Sequence, residues 1–437
     1  MKIAIIGAGF AGMAAAYDLS QYQDLKIDIY ELDQRVGGMA AGFKEKNWQW
    51  SLEDHYHHVF DTDQDFRTFV QDLGFANLLI YKKTKSGTLY HGKIHRLDSA
   101  LSLLRFSEIS LWSRLRTGAV LAFLKLLPQG VLLESFTAAE FLPKTMGKEA
   151  WKVIWKPLFV SKFGKHYKEI NMAWFWARVH PRGQYLGYVS GGFQNLSQKT
   201  AAVLRQRGVK IHLQQRLDAI QKLDKGFRLQ LSDLRSAQGK KITKEYDQVI
   251  ITLPSTILRK LLPQLPDAQQ PQLKGLAAMT MLLRLKEPLI QDGSYWLNVN
   301  EKGWPFVAVV EHDNLMDKKH YGGESLVYLG RYLPAEDEDF KKDAKQLLRD
   351  YEPYLLKLNK NFKKILIEAS LRKNAFAQPI TFRNYQQFLP KYETGWPGFY
   401  WISLQHVYPF DRGINHAIRI GRDLAKKIAQ AEGLRRS

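Results

Sequence analysis

The run Ile3-Ala4-Ile5-Ile6-Gly7-Ala8-Gly9-Phe10-Ala11-Gly12-Met13 constrains the fold more than any other stretch, because it sets a buried strand, a glycine turn and a helix in immediate succession. Gly7 ends the apolar run, Gly9 has no β-carbon to hold a pyrophosphate off the backbone, and Gly12 lets the helix lie close to the strand. The first turn, from Phe10 and Ala11, then offers free N–H groups and roughly half a positive charge to an anion. A nucleotide cofactor is the first reading. The glycine spacing by itself is a weak pattern, so the neighbouring segments must decide.

Lys26-Ile27-Asp28-Ile29-Tyr30-Glu31 reads as a second alternating strand. Its terminal acid stands about 20 positions after the glycines, where a carboxylate accepts ribose hydroxyls. Glu31 is therefore the expected ribose ligand; the alternative is a surface strand ending in an acid for solubility. Gly37-Gly38 follows at once and offers a second close backbone approach to a pyrophosphate, with Arg35 supplying charge. A doublet placed so separates a flavin from a nicotinamide reading.

With this double motif the chain resembles the FAD-dependent amine oxidase superfamily, which includes amine oxidases, protoporphyrinogen oxidases and carotenoid desaturases and, more distantly, UDP-galactopyranose mutases. The resemblance covers about 1–60, 188–255 and 395–437. It implies one FAD bound non-covalently, and the absence of cysteine excludes a cysteinyl attachment. It also implies an adenine contact from the backbone at Leu217. The segment Asp411-Arg412-Gly413-Ile414-Asn415 matches the family's C-terminal flavin motif, in which a helix opening at the glycine faces the pyrimidine carbonyl edge of the ring and favours its reduced form. Three departures stand out: Met39 where many members carry Arg after the doublet, Ser403 for a strand-end glycine, and Thr280 where amine oxidases place a catalytic lysine. The last counts against simple amine oxidation.

The implied fold class is α/β, a discontinuous Rossmann-like FAD-binding domain (1–80, 188–262 and 391–437) with an α+β substrate domain (81–187 and 263–390) built on a mainly antiparallel sheet. A helical subdomain is expected at 99–170. Asp63 reads as the N-cap of a helix Gln64–Leu73. Leu101–Phe106, Ile109–Leu115 and Gly118–Leu127 read as Leu- and aromatic-rich helical pieces interspersed with Arg105, Arg114, Arg116 and Lys125. None reaches the ~20 apolar residues of a membrane span, so they are either core helices or an amphipathic patch on a membrane or lipid. Trp151 and Trp155 share a helical face. In the later half, strands are expected at Met279–Leu285, Val307–Glu311 and Leu326–Leu333, one helix at Asp337–Leu348, and a frayed tail from Leu434.

At 437 residues and 45% hydrophobic, the chain has enough apolar material for two domains. Without cysteine, disulfides, thiolate metal sites and thiol redox relays are excluded. The net charge of +21 fits an anionic membrane face, an anionic substrate or simply a solvated surface. No nucleic-acid module is legible, and no secretory leader, so the expected address is cytoplasmic, with the inner face of the cytoplasmic membrane as a peripheral contact.

The catalytic candidates are His55 and His57, from the cluster Glu53-Asp54-His55-Tyr56-His57-His58, and Arg178, from the ring- and cation-rich run Met172–Gly183. Alternation would set His55 and His57 on one face and His58 on the other, which disfavours a metal centre. Together these two runs resemble a bacterial protoporphyrinogen-oxidase-like subgroup of unsettled substrate. The resulting expectation is a FAD-dependent oxidoreductase that takes hydride from a C–H bond of a small or lipid-like substrate. The alternatives are a non-redox nucleotide-sugar mutase and a binding protein of the GDP-dissociation-inhibitor kind.

Overall fold

The computed structural model describes residues 1–236, 239–265 and 273–435. Arg436 and Ser437 of the expected tail lie outside them; Leu434 and Arg435 do not fray, since the Leu434 N–H bonds Ala429 and the Arg435 carbonyl accepts from Gln23. A five-stranded parallel sheet runs in the order Lys210–His212, Lys26–Tyr30, Lys2–Ile6, Gln248–Ile251 and Phe399–Trp401. Its central strands are apolar on both faces because helices cover both. The helix Phe10–Leu19 is almost wholly buried, and close approach explains its small residues. A β-carbon on Gly12 would stand 2.2 Å from the Gly7 carbonyl oxygen, and one on Gly421 of the C-terminal helix Ile414–Ala431 would stand 2.2 Å from that of Ala11.

The second layer is a seven-stranded sheet ordered Leu366–Pro379, Gly275–Leu285, Ser325–Leu333, Ala308–Glu311, Ser294–Val299, Lys85–Tyr90 and Lys93–Arg96. All its pairs are antiparallel except Ser294–Val299 with Lys85–Tyr90. The sequence did not announce Leu366–Pro379, because an edge strand sprinkled with Glu, Arg, Lys and Asn shows little apolar alternation. Ser294–Val299 was likewise unexpected.

Three local expectations need correction. The single helix Asp337–Leu348 is two, Glu338–Lys341 and Ala344–Leu358, because Asp343 forms a capping box with Gln346 and starts a new helix. Ile109–Leu115 and Gly118–Leu127 belong to one helix, Leu111–Leu126, capped by Ser110 and uninterrupted at Gly118. Asp63 sits at the N-cap position of Gln64–Asp72, but its carboxylate turns back to the Phe60 N–H. The Asn415 side chain, reaching across from the C-terminal helix, accepts the Phe66 N–H in its place. The tryptophan pair Trp151 and Trp155 brackets a π-helical turn whose released carbonyls, Val153 and Ile154, are held by the Asn300 amide.

Candidate active site

Two glycine corners meet where the parallel sheet ends, and a third glycine opens the C-terminal helix. Gly9 and Gly37 form an isolated parallel bridge, and a β-carbon on Gly38 would come within 3.0 Å of the Gly9 α-carbon. The two glycine loops of the sequence motif thus touch through their backbones. Gly413 opens the C-terminal helix at φ +138°, and no side chain caps that helix or the one beginning after Gly9. Helix ends without caps need acceptors from elsewhere. A β-carbon on Gly9 or on Gly413 would find no neighbour closer than 3.8 Å, and Gly38 and Gly413 remain exposed, so these corners form an open cradle and not packed turns. Phe10 is buried under the cradle, while Ala11 keeps partial exposure.

Glu31 ties the cradle together: its carboxylate accepts the Ala8 N–H at 2.8 Å and the Asp33 N–H at 2.9 Å. Burial pushes this carboxyl up, and the two N–H groups oppose the shift. A carboxylate has about four acceptor positions, so ribose hydroxyls remain within its capacity. Leu217 lies on the strand Gln215–Lys222, whose first N–H bonds the Glu31 carbonyl; its own side chain is buried. Arg35 reaches Asp54 at 2.8 Å and the Gly42 carbonyl, and its buried Nε has no hydrogen-bond partner among the described residues. Ile414 is buried and Met39 packs against the helical-region core. The donor set (uncapped helix ends, open glycines, an orphaned guanidinium N–H, a ribose-height acid) fits a dinucleotide-sized anion with a ring at the Gly413 end.

The segment 53–58 is the seam between this cradle and the seven-stranded sheet. Glu53 accepts from the Tyr188 hydroxyl and the Phe193 N–H, and its carbonyl from the Tyr328 hydroxyl. Asp54 joins Arg35 to Arg372, whose Nε lies at 2.7 Å. His55 Nδ1 meets the Thr280 hydroxyl at 2.8 Å, the Tyr56 hydroxyl lies 3.1 Å from that of Tyr332, and His58 Nδ1 lies 3.1 Å from the Tyr295 hydroxyl. His57 Nδ1 donates to the His55 carbonyl at 2.7 Å, which leaves its Nε2 as the acceptor. The expected simple alternation does not describe these bonds: His55 and His58 both engage the sheet, and His57 turns back on its own segment. Burial lowers His55 and His57 to about 4 and His58 to about 3, so all three rings are neutral at pH 7. Each keeps some accessible surface although deeply placed, as side chains on the wall of a cleft do.

Arg178 does not stand free beside the histidines. Its Nη1 bonds Asp411 at 3.0 Å, and Asp411 also accepts from Lys162 at 2.9 Å and the Trp174 indole at 2.7 Å. Asn415 spends its side chain on Phe66 and Asp65, which leaves its helix N-terminal backbone for any cofactor contact. Sequence reasoning missed four residues here. Lys162, a buried cation lying over the Trp174 and Tyr332 rings, carries no local signal. Tyr56 and Arg182 stood inside the two quoted runs without a role of their own, and Tyr332 inside an expected strand. Arg412 bonds the Tyr332 hydroxyl and was legible only through its motif neighbours. Arg182 is solvent-accessible on the rim of the cleft, where crowding by surrounding groups and the nearby Arg178 bring its guanidinium down to about 10. Lys162, Arg178, Arg182 and Arg412 outnumber the two carboxylates that face them, Asp411 and Asp98. Among the described residues no His and carboxylate group is placed to hold a metal ion.

One consequence is measurable. A buried histidine with a lowered value stays neutral in the fold but binds a proton in the unfolded chain below about pH 6.5, so it withdraws stability as pH falls from 6.5 toward its folded value. The His58→Asn protein is expected to lose less stability than wild type between pH 7 and 5, the slope differing by up to about 1.4 kcal/mol per pH unit near pH 5. Denaturant unfolding at the two pH values checks this; parallel slopes refute it.

A crossing of two glycine loops at the end of a parallel sheet, an acid on the second strand and a separate antiparallel wall define a nucleotide-binding class of fold. The family model for flavin-containing amine oxidoreductases matches residues 10–429, and the chain belongs to that family; it is a flavin-dependent oxidoreductase. Among curated relatives, zeta-carotene desaturase of Capsicum annuum is 33% identical over 99 residues, 22% of this chain and 16% of the relative, so the match spans about a sixth of that protein's length. A candidate protoporphyrinogen oxidase from Exiguobacterium sp. superposes with a TM-score of 0.74 at 18% identity, covering 98% of this chain and 99% of the other. Reduced UDP-galactopyranose mutase gives 0.73 at 15% identity, covering 98% and 96%. At these identities the solved structures speak for the fold. No helix of the described residues is long and apolar enough to cross a membrane.

Proposed function

We propose that the flavin is FAD and that the protein oxidises or desaturates a small or lipid-like substrate carrying an anionic group. The observation that carries this reading is the seam: neutral His55 and His57 lie next to the loop after Gly38, through the Asp54 N–H bond to Ala41, and within electrostatic reach of Arg412 beside Gly413. FAD when bound supplies a two-electron acceptor for a hydride. Glu31 holds the ribose, and the backbone at Gly9, Gly38 and Gly413 leaves room for the pyrophosphate and the ring. Thr280 positions the His55 imidazole. As the C–H bond of the substrate gives up its hydride, the free nitrogen of His55 or His57 accepts the proton lost from the adjoining N–H, O–H or C–H. The cation excess from Arg178 and Arg182 orients the anionic group.

The same excess favours a second reading, a non-redox enzyme acting on a nucleotide sugar, as the mutase neighbour's name suggests. Absorption spectra of the purified protein separate the two, because a redox substrate bleaches the oxidised flavin with no added reductant and a mutase substrate does not. Once a bleaching substrate is found, His55→Ala or His57→Ala is expected to slow single-turnover reduction by ~100- to 10,000-fold with FAD retained. Rates within a few-fold of wild type for both variants defeat the proton-transfer role.

A further inference from the structure

The helix Leu111–Leu126 is inverted relative to an ordinary surface helix. Its buried positions are Ser113, Thr117 and Leu124, two hydroxyls out of three, with Thr117 fully buried. Its exposed side carries Leu111, Trp112, Leu115, Phe123 and Leu126, with Trp112 68% and Leu126 83% exposed. At 3.6 residues per turn these five fall within an arc of about 120°. The rest of that arc is filled by Ala119 and Ala122, so no polar side chain interrupts it. The cations stand at its two edges, Arg116 on one and Arg114 with Lys125 on the other. Their hydrogen bonds go to backbone carbonyls, those of Thr145 and Lys144, of Ile109 and Leu104, and of Arg182. Exposed Leu101 and Leu104 of the preceding helix Ala100–Leu104 extend the apolar surface.

We infer that this face docks in the plane of an anionic lipid bilayer. An apolar stripe about 24 Å long, with a tryptophan and flanking cations, matches the geometry by which interfacial helices bury their apolar side at the headgroup boundary. Charge decides the occupant. The chain carries +21, and the stripe is rimmed by cations, so a negatively charged surface is attracted. A symmetric contact with a second copy would set Arg114, Arg116 and Lys125 against their own counterparts. The docking helix is also joined to the cleft wall: Lys125 donates to the Arg182 carbonyl at 2.8 Å, and the Trp176 indole to the Leu127 carbonyl at 2.8 Å. Docking stands apart from the chemistry proposed above and does not depend on it.

Flotation of the flavin-loaded protein with vesicles of phosphatidylcholine containing about a third phosphatidylglycerol tests the inference. Wild type is expected to float at low salt and to be released as salt screens the attraction. Trp112→Glu with Phe123→Glu is expected to weaken binding at least ten-fold with flavin absorbance and melting temperature unchanged, since both side chains point to solvent. Ile367→Glu, exposed on the edge strand Leu366–Pro379 of the seven-stranded sheet, is expected to float as wild type does. Equal flotation of the stripe variant and wild type, equal binding to pure phosphatidylcholine, or no flotation at low salt each overturns it. So does a wild-type dimer that the stripe variant converts to monomer, which would assign the face to a second copy.

Discussion

Gly9→Val is expected to give a folded, colourless protein. A β-carbon at residue 9 meets nothing closer than the Gly38 α-carbon at 3.8 Å, so the branch point itself displaces no backbone. It fills the cradle between the two glycine loops, where a pyrophosphate must approach the backbone. Gly12→Val is the counterpart: its β-carbon would stand 2.2 Å from the Gly7 carbonyl oxygen, a backbone atom that cannot yield, so the first helix must leave its sheet. Circular dichroism and flavin absorbance, measured together, distinguish the two. The expected pattern is native dichroism without flavin for Gly9→Val, and loss of both for Gly12→Val. Full flavin content in Gly9→Val would remove the cofactor assignment.

Asp411→Ala is expected to cost about 3–5 kcal/mol, because removing one partner of a buried ion pair leaves the other charge uncompensated. Asp411 and Lys162 are almost inaccessible, and three donors converge on the carboxylate. Burial pushes this carboxyl up, but Lys162, Arg178 and Arg412 pull it down further, leaving it well below the ordinary carboxylate range. The sign follows. The contribution is fully present above about pH 4, the unfolded value, and is lost as pH falls below it. Lys162→Met combined with Asp411→Ala is expected to recover part of the loss, since the orphaned ammonium is gone, although Arg178 remains. Denaturant unfolding of the flavin-free proteins keeps cofactor binding from adding its own stabilisation. An Asp411→Ala midpoint equal to wild type contradicts the pairing.

The first strand, the glycine turn and the acid at residue 31 were legible because each obeys a short-range rule, and the C-terminal helix through its resemblance to a family motif. Buried strands read as apolar runs, close backbone approach requires glycine, and an amphipathic helix shows its 3.6-residue period. Thr280 was legible only through resemblance, and its bond to His55 joins residues 225 apart in the chain. The edge strand Leu366–Pro379 and the break at Asp343 escaped because polar edge residues and a cap inside a periodic run carry ambiguous local signals. For Leu111–Leu126 the sequence by itself determined Leu- and aromatic-rich helical pieces with interspersed cations, read as core helices ahead of an amphipathic patch, and did not join them into one helix. Only the tertiary structure decided that Ser113 and Thr117 face inward with Leu124, and that Leu111, Leu115 and Leu126 face outward. The same holds for Lys162 and Tyr332, whose sequence neighbours say nothing of a cleft. Periodicity reports that a helix has two faces or a strand alternates, but which face meets protein, and which distant charges share one enclosed space, depends on contacts between segments far apart in the chain.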